Sequence, residues 1–485
     1  MTESTKDLYE VLGISPAASQ SEVRRAYRAL ARRYHPDSGK ENASVERFQQ
    51  VQAAYEVLGD LGQRRAYDRQ RAERHPADSD HFDWEILISQ SELPILPGEQ
   101  MAYLLADIVP GERSQGQRLP INMVIVVDRS TSMRGRRLEH LKTAAHQIVD
   151  DLADQDALGI VAFSDRAEVV VPSQRLVNRA RIHNLISSIW TSGGTEILQG
   201  VQAGLDEVRR FHARGALSHL LLVTDGQTYG DEEECLGASR QARTERIIVS
   251  TLGLGDDWND ELLEEMARLS GGDCFYVAHA SQLRHVLDEY VRGLSGVVAR
   301  DLAVTVRLNE QVHLVDAFRC SSTVDRLAFD QGEIKLGILQ GGGRIQVLFE
   351  FIVTGGKQGT RHLAQLELRG RGPRSDRWER LLFDFEVGFV ADPDPVPVPN
   401  AIINAMNRIN IFRMQESAWK ALEAGEGVDA RRQLEAVATR LFDLGERELA
   451  RIALLEAGRV TQGGQASKKG QKTIRFGTRR LGGNA

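Results

Sequence analysis

Residues 122–132 run Asn-Met-Val-Ile-Val-Val-Asp-Arg-Ser-Thr-Ser, an almost uninterrupted apolar segment that ends in a polar loop. Such an apolar run is typical of a central parallel strand that helices cover on both faces. Similar runs recur at 157–163, 219–223 and 247–252, and segments with helical periodicity, such as 138–152, separate them. Alternating strands and helices predict a doubly wound α/β sheet, whose ligand lies beyond the carboxyl ends of the strands, near the topological switch point.

The polar loop after the first strand offers only oxygen ligands. Asp128, Ser130 and Ser132 alternate, so an extended loop can turn one carboxylate and two hydroxyls to the same side. A glycine-rich loop can bring the Thr195 hydroxyl close, and Asp225 follows another apolar run. Two carboxylates and three hydroxyls, with water completing the coordination, suit a hard divalent cation such as Mg²⁺, with Mn²⁺ and Ca²⁺ as alternatives.

These five positions match the metal-ion-dependent adhesion site of the von Willebrand factor A domain, and the resemblance covers residues 119–296. In that family a carboxylate from the partner commonly completes the metal coordination, so the resemblance implies an unidentified protein partner. A loop without metal, in which the hydroxyls cap the following helix, is the alternative. A dinucleotide site is disfavoured, because no Gly-x-Gly-x-x-Gly sequence follows the strand.

Three arginines, Arg134, Arg136 and Arg137, follow the loop directly. They either form a solvated surface or bind an acidic segment of the partner, and the sequence leaves both interpretations open. Met133, which lies between the loop and these arginines, is expected to pack in the interior.

The N-terminal residues 7–70 predict short helices around one polar loop. Apolar residues at helical spacing form a stripe on each of the two longer helices: Val23, Tyr27, Leu30 and Tyr34 on the first, and Phe48, Val51, Tyr55 and Leu58 on the next. The two helices are therefore expected to pack along one antiparallel seam. A row of arginines occupies the outer face of the first.

A helical hairpin with His-Pro-Asp at its apex resembles the J-domain of DnaJ-like co-chaperones, and segments 7–13 and 63–68 extend the match. The resemblance implies that the chain recruits and stimulates a seventy-kilodalton heat-shock ATPase, which performs the chemistry. It assigns contact with that ATPase to His35, Pro36, Asp37, Arg24, Arg25, Arg28 and Arg32. Neither a Gly/Phe-rich linker nor Cys-x-x-Cys repeats follow, so client binding has to come from elsewhere in the chain.

Segments with period-two alternation, such as 302–308, 345–351 and 383–389, lie on both sides of the α/β region. The early strands are too few to bury a sheet alone, so we expect one split β-sandwich into which the α/β domain is inserted. The predicted fold class is a multidomain α/β and β protein with terminal helices. Its expected parts are a J-domain (1–75), a split sandwich (80–118 and 297–391), an A-type domain (119–296), a proline-rich linker (392–399), a helical segment (400–460) and a disordered basic tail (461–485).

The formal net charge of −7 and a hydrophobic content of 41% give no reason to expect a nucleic-acid or membrane partner. The N-terminus has no apolar signal region, so a cytoplasmic location is expected. The three cysteines, Cys235, Cys274 and Cys320, have no metal-ligand spacing and are expected to be buried thiols.

These features together favour a non-enzymatic co-chaperone or adaptor that binds the heat-shock ATPase at one end and a partner or client through the metal. An assembly factor or scaffold for a specific complex is the first alternative. A metal-dependent hydrolase is less supported, because no histidine lies within the five-residue motif, although Glu139 and His140 follow it closely.

Overall fold

The computed structural model describes most of the chain. The described residues are 8–12, 20–34, 45–60, 63–64, 67, 79–111, 114, 119–212, 216–228, 230–294, 296–321, 323–330, 332–373, 377–393, 396–463 and 465–481.

Among the described residues of the N-terminal domain, the longer helical elements are α1 (Leu8–Leu12), α2 (Gln20–Tyr34) and α3 (Val45–Leu58). The two predicted apolar stripes face each other, with Val23 and Val51 buried between the helices. The rings of Tyr27 and Tyr55 stack with their centroids 4.0 Å apart. The predicted helical hairpin is therefore present, and its seam contains the expected residues. The apex residues His35, Pro36 and Asp37 lie outside the described residues.

The central part begins with three strands, β1 (Phe82–Ile88), β2 (Glu92–Pro94) and β3 (Glu99–Pro110). The elements of the α/β domain follow: β4 (Ile121–Asp128), α4 (Arg136–Asp151), β5 (Ala157–Phe163), β6 (Ala167–Arg175), α5 (Arg179–Ser187), α6 (Ile197–Arg210), β7 (Leu217–Thr224), α7 (Glu232–Thr244), β8 (Ile247–Leu254), α8 (Asp260–Ser270), β9 (Cys274–Val277) and α9 (Leu283–Leu294).

The strands of this domain form one sheet in the order β6-β5-β4-β7-β8-β9. All neighbours are parallel except β6, which is antiparallel to β5. Helices α4, α5 and α9 cover one face of the sheet, and α6, α7 and α8 cover the other. The predicted doubly wound sheet is confirmed. Because β4 has β5 on one side and β7 on the other, the topological switch point lies at the carboxyl end of β4.

Seven strands follow the α/β domain: β10 (Val297–Leu308), β11 (Val312–Arg319), β12 (Asp325–Arg326), β13 (Glu333–Gln340), β14 (Ile345–Thr354), β15 (Gly359–Arg371) and β16 (Trp378–Val390). They build two sheets with the early strands, in the orders β1-β3-β14-β11-β12 and β13-β10-β15-β16-β2. Leu104, Phe349 and Phe385 lie in the shared core between the sheets. The chain thus completes the sandwich only after the α/β domain, as predicted.

Four helices form the C-terminal part: α10 (Asn400–Glu423), α11 (Gly427–Asp443), α12 (Arg447–Gly463) and α13 (Lys468–Arg479). Helix α10 packs on the sandwich, where Ile409 and Phe412 share an apolar cluster with Phe318. Arg413 donates hydrogen bonds to the buried carboxylate of Glu350, the shorter at 2.6 Å. Helix α10 is therefore attached to the sandwich by apolar burial and by a charge-assisted contact.

The prediction of a disordered basic tail over 461–485 was wrong, because α12 continues to Gly463 and α13 docks on the α/β domain. Phe476 is 6% exposed and lies in the core of that domain. Its ring centroid is 5.7 Å from that of Trp258 and 5.4 Å from that of Tyr276. Burial of Phe476 therefore orders α13, although the basic composition of this segment predicted disorder.

The positive charges of α13 also have specific partners. Lys472 Nζ donates to the backbone carbonyls of Asp256 and Trp258, at 2.9 and 2.6 Å. Arg475 forms ion pairs with Asp260 at 2.9 Å and with Glu264 at 2.8 Å. These acidic partners precede Arg475 by 215 and 211 residues, so a local charge count cannot reveal them.

We expect Phe476→Ala to release α13 from the α/β domain. Removing a buried aromatic side chain costs ~3 kcal/mol or more in lost burial and cavity formation. Hydrogen exchange measured by mass spectrometry should then show amides of α13 exchanging ~100-fold faster or more, because 1.4 kcal/mol corresponds to a factor of ten. Val428→Ala is the matched control, since Val428 lies on α11 with 83% of its surface exposed. Equal exchange rates in the two variants would contradict the docking.

The three cysteines form no disulfide: Cys235 and Cys320 are buried, and Cys274 is partly buried. Burial raises the pKa of the Cys320 thiol to about 11, which keeps it protonated at neutral pH. Within the ranges given above, no helix is both long and apolar enough to cross a bilayer.

Candidate functional site

The candidate site begins where β4 ends, at the buried carboxylate of Asp128. Asp128 Oδ1 accepts a hydrogen bond from the Ser130 amide at 2.7 Å. Its Oδ2 accepts one from the Thr224 hydroxyl at 2.6 Å. A 3-10 turn over Thr131–Met133 then leads to α4, with Met133 buried as predicted. The loop thereby holds Asp128 in one orientation at the switch point of the sheet.

The hydroxyls and the second carboxylate of the motif converge on the same edge. Ser130 Oγ and Ser132 Oγ are 2.8 Å apart. Ser132 Oγ donates to Asp225 Oδ1 at 2.7 Å, so the loop after β4 contacts the loop after β7. A Cβ atom on Gly226 would lie 2.9 Å from Thr195 Oγ1, which shows how closely Thr195 approaches the Asp225 turn.

Backbone hydrogen bonds fix the glycine-rich loop against the first loop. The Thr131 amide donates to the Gly193 carbonyl at 3.2 Å, and the Ser192 amide donates to the Arg129 carbonyl at 2.8 Å. Thr195 follows two residues after Gly193, so these contacts determine where its hydroxyl lies. The structure thus brings together all five residues that the sequence analysis selected, although they come from three separate segments. Their role as metal ligands stays a prediction.

The donor chemistry of this cluster fits a hard divalent cation. Burial raises the pKa of Asp128 to about 6, although hydrogen bonds from Ser130 and Thr224 oppose the shift. A nearby positive charge would favour the ionised carboxylate. Among the described residues, no group of three or more His, Cys, Asp or Glu side chains could hold a metal ion. The candidate centre differs from such groups, because it combines two carboxylates with three hydroxyls.

Arg137 has a position that neither sequence interpretation anticipated. Its guanidinium forms an ion pair with Asp225 Oδ2, the carboxylate oxygen that does not accept from the Ser132 hydroxyl. It also donates to the Ser132 carbonyl at 3.4 Å. Arg134 and Arg136 are exposed, and neither side chain forms a hydrogen bond or ion pair within the described part of the chain. The three neighbouring arginines therefore have different environments.

Two further residues of the site were not selected from the sequence. Thr224 holds Asp128, and its place directly before Asp225 was the available signal. Trp190 lies two residues before Ser192 with 65% of its surface exposed. The guanidinium of Arg129 is 5.8 Å from its ring centroid. An exposed tryptophan at the rim of the cluster offers a large contact area for a protein partner.

The residues considered for hydrolysis give that alternative no support. Glu139 is 69% exposed and forms a surface ion pair with Lys142 at 3.1 Å. His140 lies in the second turn of α4 with its side chain partly buried, and among the described residues it forms no hydrogen bond or ion pair with the five-residue cluster. A general base would need to reach a water molecule on the cation.

In the N-terminal domain, the side chains of Arg24, Arg25 and Arg28 are exposed on α2. They provide positive charge on the outer face of this helix, opposite the seam with α3. The side chain of Arg32 lies outside the described residues, as does the His-Pro-Asp apex. The structure therefore describes the basic face in part and leaves the apex assignment as a prediction.

Family models match three parts of the chain. The DnaJ domain matches residues 7–68, and the von Willebrand factor type A domain matches residues 122–289. This chain is a fusion of a J-domain and a von Willebrand factor A domain. Residues 400–484 of the fusion match the Sll0103-like, C-terminal alpha-helical domain, a range that includes the basic segment around α13.

Two relatives cover different portions of the fusion. It is 27% identical to the Synechocystis protein sll0103 in an alignment 413 residues long, which covers 81% of the fusion and 96% of that relative. It is 54% identical to the chaperone protein DnaJ of Bacillus cytotoxicus over 66 residues. This second match spans 14% of the fusion and only 18% of the chaperone, so it concerns the J-domain alone.

Solved structures share the fold of the larger portion. A von Willebrand factor type A protein from Catenulispora acidiphila has a TM-score of 0.67, with 16% identity over 83% of the fusion and 98% of its own chain. The ArnB paralog VWA2 from Sulfolobus acidocaldarius has a TM-score of 0.52, with 14% identity over 82% of the fusion and 98% of its own chain. At these identities the likeness concerns the fold.

Proposed function

We propose that this protein is a non-enzymatic co-chaperone or adaptor with two binding ends. The J-domain would recruit and stimulate a seventy-kilodalton heat-shock ATPase in the cytoplasm. The A-type domain would bind a partner or client protein through a divalent cation, Mg²⁺ in the first instance and Mn²⁺ or Ca²⁺ as alternatives. The convergence of two carboxylates and three hydroxyls at the switch point of the sheet carries this proposal.

The residues that would hold the cation are Asp128, Ser130, Ser132, Thr195 and Asp225. When bound, the cation supplies a positive charge that a carboxylate of the partner can bind. The protein's own contribution is orientation: Thr224 and the Ser130 amide hold Asp128, and Ser132 is held against Asp225. Such fixed donors need little rearrangement when a ligand binds.

The rim of the site supports a protein as the partner. Trp190 presents a large apolar surface beside the loop that carries Thr195. Tryptophan and arginine are frequent among the residues that contribute most to protein interfaces. Exposed Arg134 and Arg136 add positive charge near the start of α4, which suits an acidic partner segment.

The basic face of α2 supports the proposal for the J-domain. Arg24, Arg25 and Arg28 are exposed and close in sequence on one helix, so their charges add. Such a face accelerates association with an acidic surface and weakens as the salt concentration rises. ATP hydrolysis would take place in the partner.

A pull-down from a lysate of the organism that encodes the chain tests both ends. We expect the intact protein to retain a partner in Mg²⁺ and to lose it in EDTA and in the variant Asp128→Asn. The heat-shock ATPase should be retained by Asp128→Asn and lost from His35→Gln. Each variant is the control for the other, because each changes one end.

The retained proteins also separate the two functional alternatives. One stoichiometric complex would support an assembly factor, whereas many unrelated proteins would support general client capture. Retention of every partner by Asp128→Asn in EDTA would contradict the proposed metal-dependent binding.

A further inference from the structure

Arg137 connects three segments at the candidate metal centre. It follows the Ser132 turn by five residues, contacts Asp225 after β7, and lies beside Gly255 after β8. The Asp225 side chain is fully buried, whereas that of Arg137 is 42% exposed. The guanidinium thus contacts Oδ2 of a buried carboxylate, while Oδ1 of the same carboxylate accepts a hydrogen bond from the Ser132 hydroxyl.

The loop after β8 leaves room for this arginine. Gly255 has a φ angle of +77°, a backbone conformation that residues other than glycine rarely adopt. A Cβ atom at this position would lie 3.3 Å from Arg137 Nη2. The Gly255 amide donates to the Val277 carbonyl at 2.9 Å, which ties the loop to β9. The backbone of Gly255 therefore lies close to the Arg137 guanidinium, in a loop that its hydrogen bond to β9 holds in place.

We propose that Arg137 is a built-in counter-charge that compensates the negative charge of Asp225 and thereby keeps the cation available to an external carboxylate. This inference rests on the proposed metal-dependent binding. Arg137 would thereby set the net charge that the site presents to the cation.

Two ionised carboxylates would neutralise a divalent cation completely, leaving little attraction for a third carboxylate. Arg137 compensates Asp225, so the site presents one net negative charge, that of Asp128. A bound cation then retains one uncompensated positive charge. Because the Asp128 and Asp225 side chains are buried, this charge attracts a partner carboxylate more strongly than it would in bulk solvent.

Arg136 provides the matched comparison. It carries the same charge one residue earlier, but it is exposed and has no ion pair within the described residues. A general effect of net charge would appear equally in both positions. An effect through Asp225 would appear only when Arg137 is changed.

The test is a titration of the full-length chain with Mn²⁺ alone, in which electron paramagnetic resonance measures the free ion. We expect Arg137→Gln to bind Mn²⁺ on the order of tenfold more tightly than the unchanged chain, because a like charge near the cation is removed. Arg136→Gln should remain within about twofold of the unchanged chain, since exposed charges are screened.

Two further variants connect the effect with Asp225. Arg137→Lys keeps the positive charge and should restore the affinity of the unchanged chain. Adding Asp225→Asn to Arg137→Gln should remove the gain. Equal Mn²⁺ affinities for Arg137→Gln and Arg136→Gln, or weaker binding by Arg137→Gln, would overturn the inference while leaving the metal site intact. Failure of all these proteins to bind Mn²⁺ would instead overturn the proposed function on which it rests.

Discussion

Asp128→Asn is expected to reduce the affinity for Mg²⁺ or Mn²⁺ by more than about a hundredfold. Mutating residues that only orient the metal ligands already lowers metal affinity about ten- to a hundredfold, and Asp128 is itself a proposed ligand. The substitution removes the carboxylate that lies deepest in the cluster, at the end of β4. Isothermal titration calorimetry with the full-length chain measures the loss.

The asparagine should preserve the local fold. Its amide oxygen can still accept from the Ser130 amide. Its NH₂ group can donate to the Thr224 hydroxyl, which is able to act as an acceptor. The loss of affinity would therefore report the missing charge, with little contribution from unfolding.

Asp165→Asn is the matched control for this substitution. Asp165 is an exposed carboxylate beside the same cluster, and it accepts a hydrogen bond from the Gly194 amide at 2.7 Å. Asparagine can keep that hydrogen bond while removing the same charge. Equal metal affinity in the Asp128 and Asp165 variants would show that the five-residue cluster is not the metal site.

His35→Gln is expected to abolish stimulation of the heat-shock ATPase, returning its turnover to the unstimulated rate. The reason is the match of residues 7–68 to the DnaJ domain, whose His-Pro-Asp apex is implied to contact the ATPase. A single-turnover assay of ATP hydrolysis, with and without the chain, measures the effect.

The variant should retain its helical hairpin, because the stack of Tyr27 on Tyr55 and the burial of Val23 do not involve the apex. His285→Gln provides a control with the same exchange of side chains, since His285 is 78% exposed on α9. Full stimulation by His35→Gln would exclude the J-domain assignment. Raising the salt concentration should weaken stimulation by the unchanged chain, because the α2 arginines are exposed.

The C-terminal helix α13 also affects how these experiments should be designed. Lys472 binds the carbonyls of Asp256 and Trp258, directly after the Gly255 loop that borders Arg137. The isolated A-type domain would lose this support and expose the pocket of Phe476. Metal titrations are therefore best made with the full-length chain.

The sequence by itself determined the elements whose signals are local. An apolar run of five residues before Asp128 predicted a buried parallel strand, and alternation of polar and apolar residues predicted the sandwich strands. The five oxygen donors were recognisable because each follows a strand or a glycine-rich loop. In a doubly wound sheet such positions meet at one edge, so fold class and motif together specified which residues would converge.

The pairing of charged groups and the burial of surfaces depended instead on how distant segments pack together. Arg137 contacts a carboxylate 88 residues later in the chain, whereas Arg136 has no such partner within the described residues. Lys472 and Arg475 gain their partners from α8 and the loop before it, and Phe476 enters an existing core. Each of these outcomes depends on contacts between distant segments. Composition and periodicity describe only neighbours along the chain, and therefore cannot distinguish a solvated arginine from a paired one.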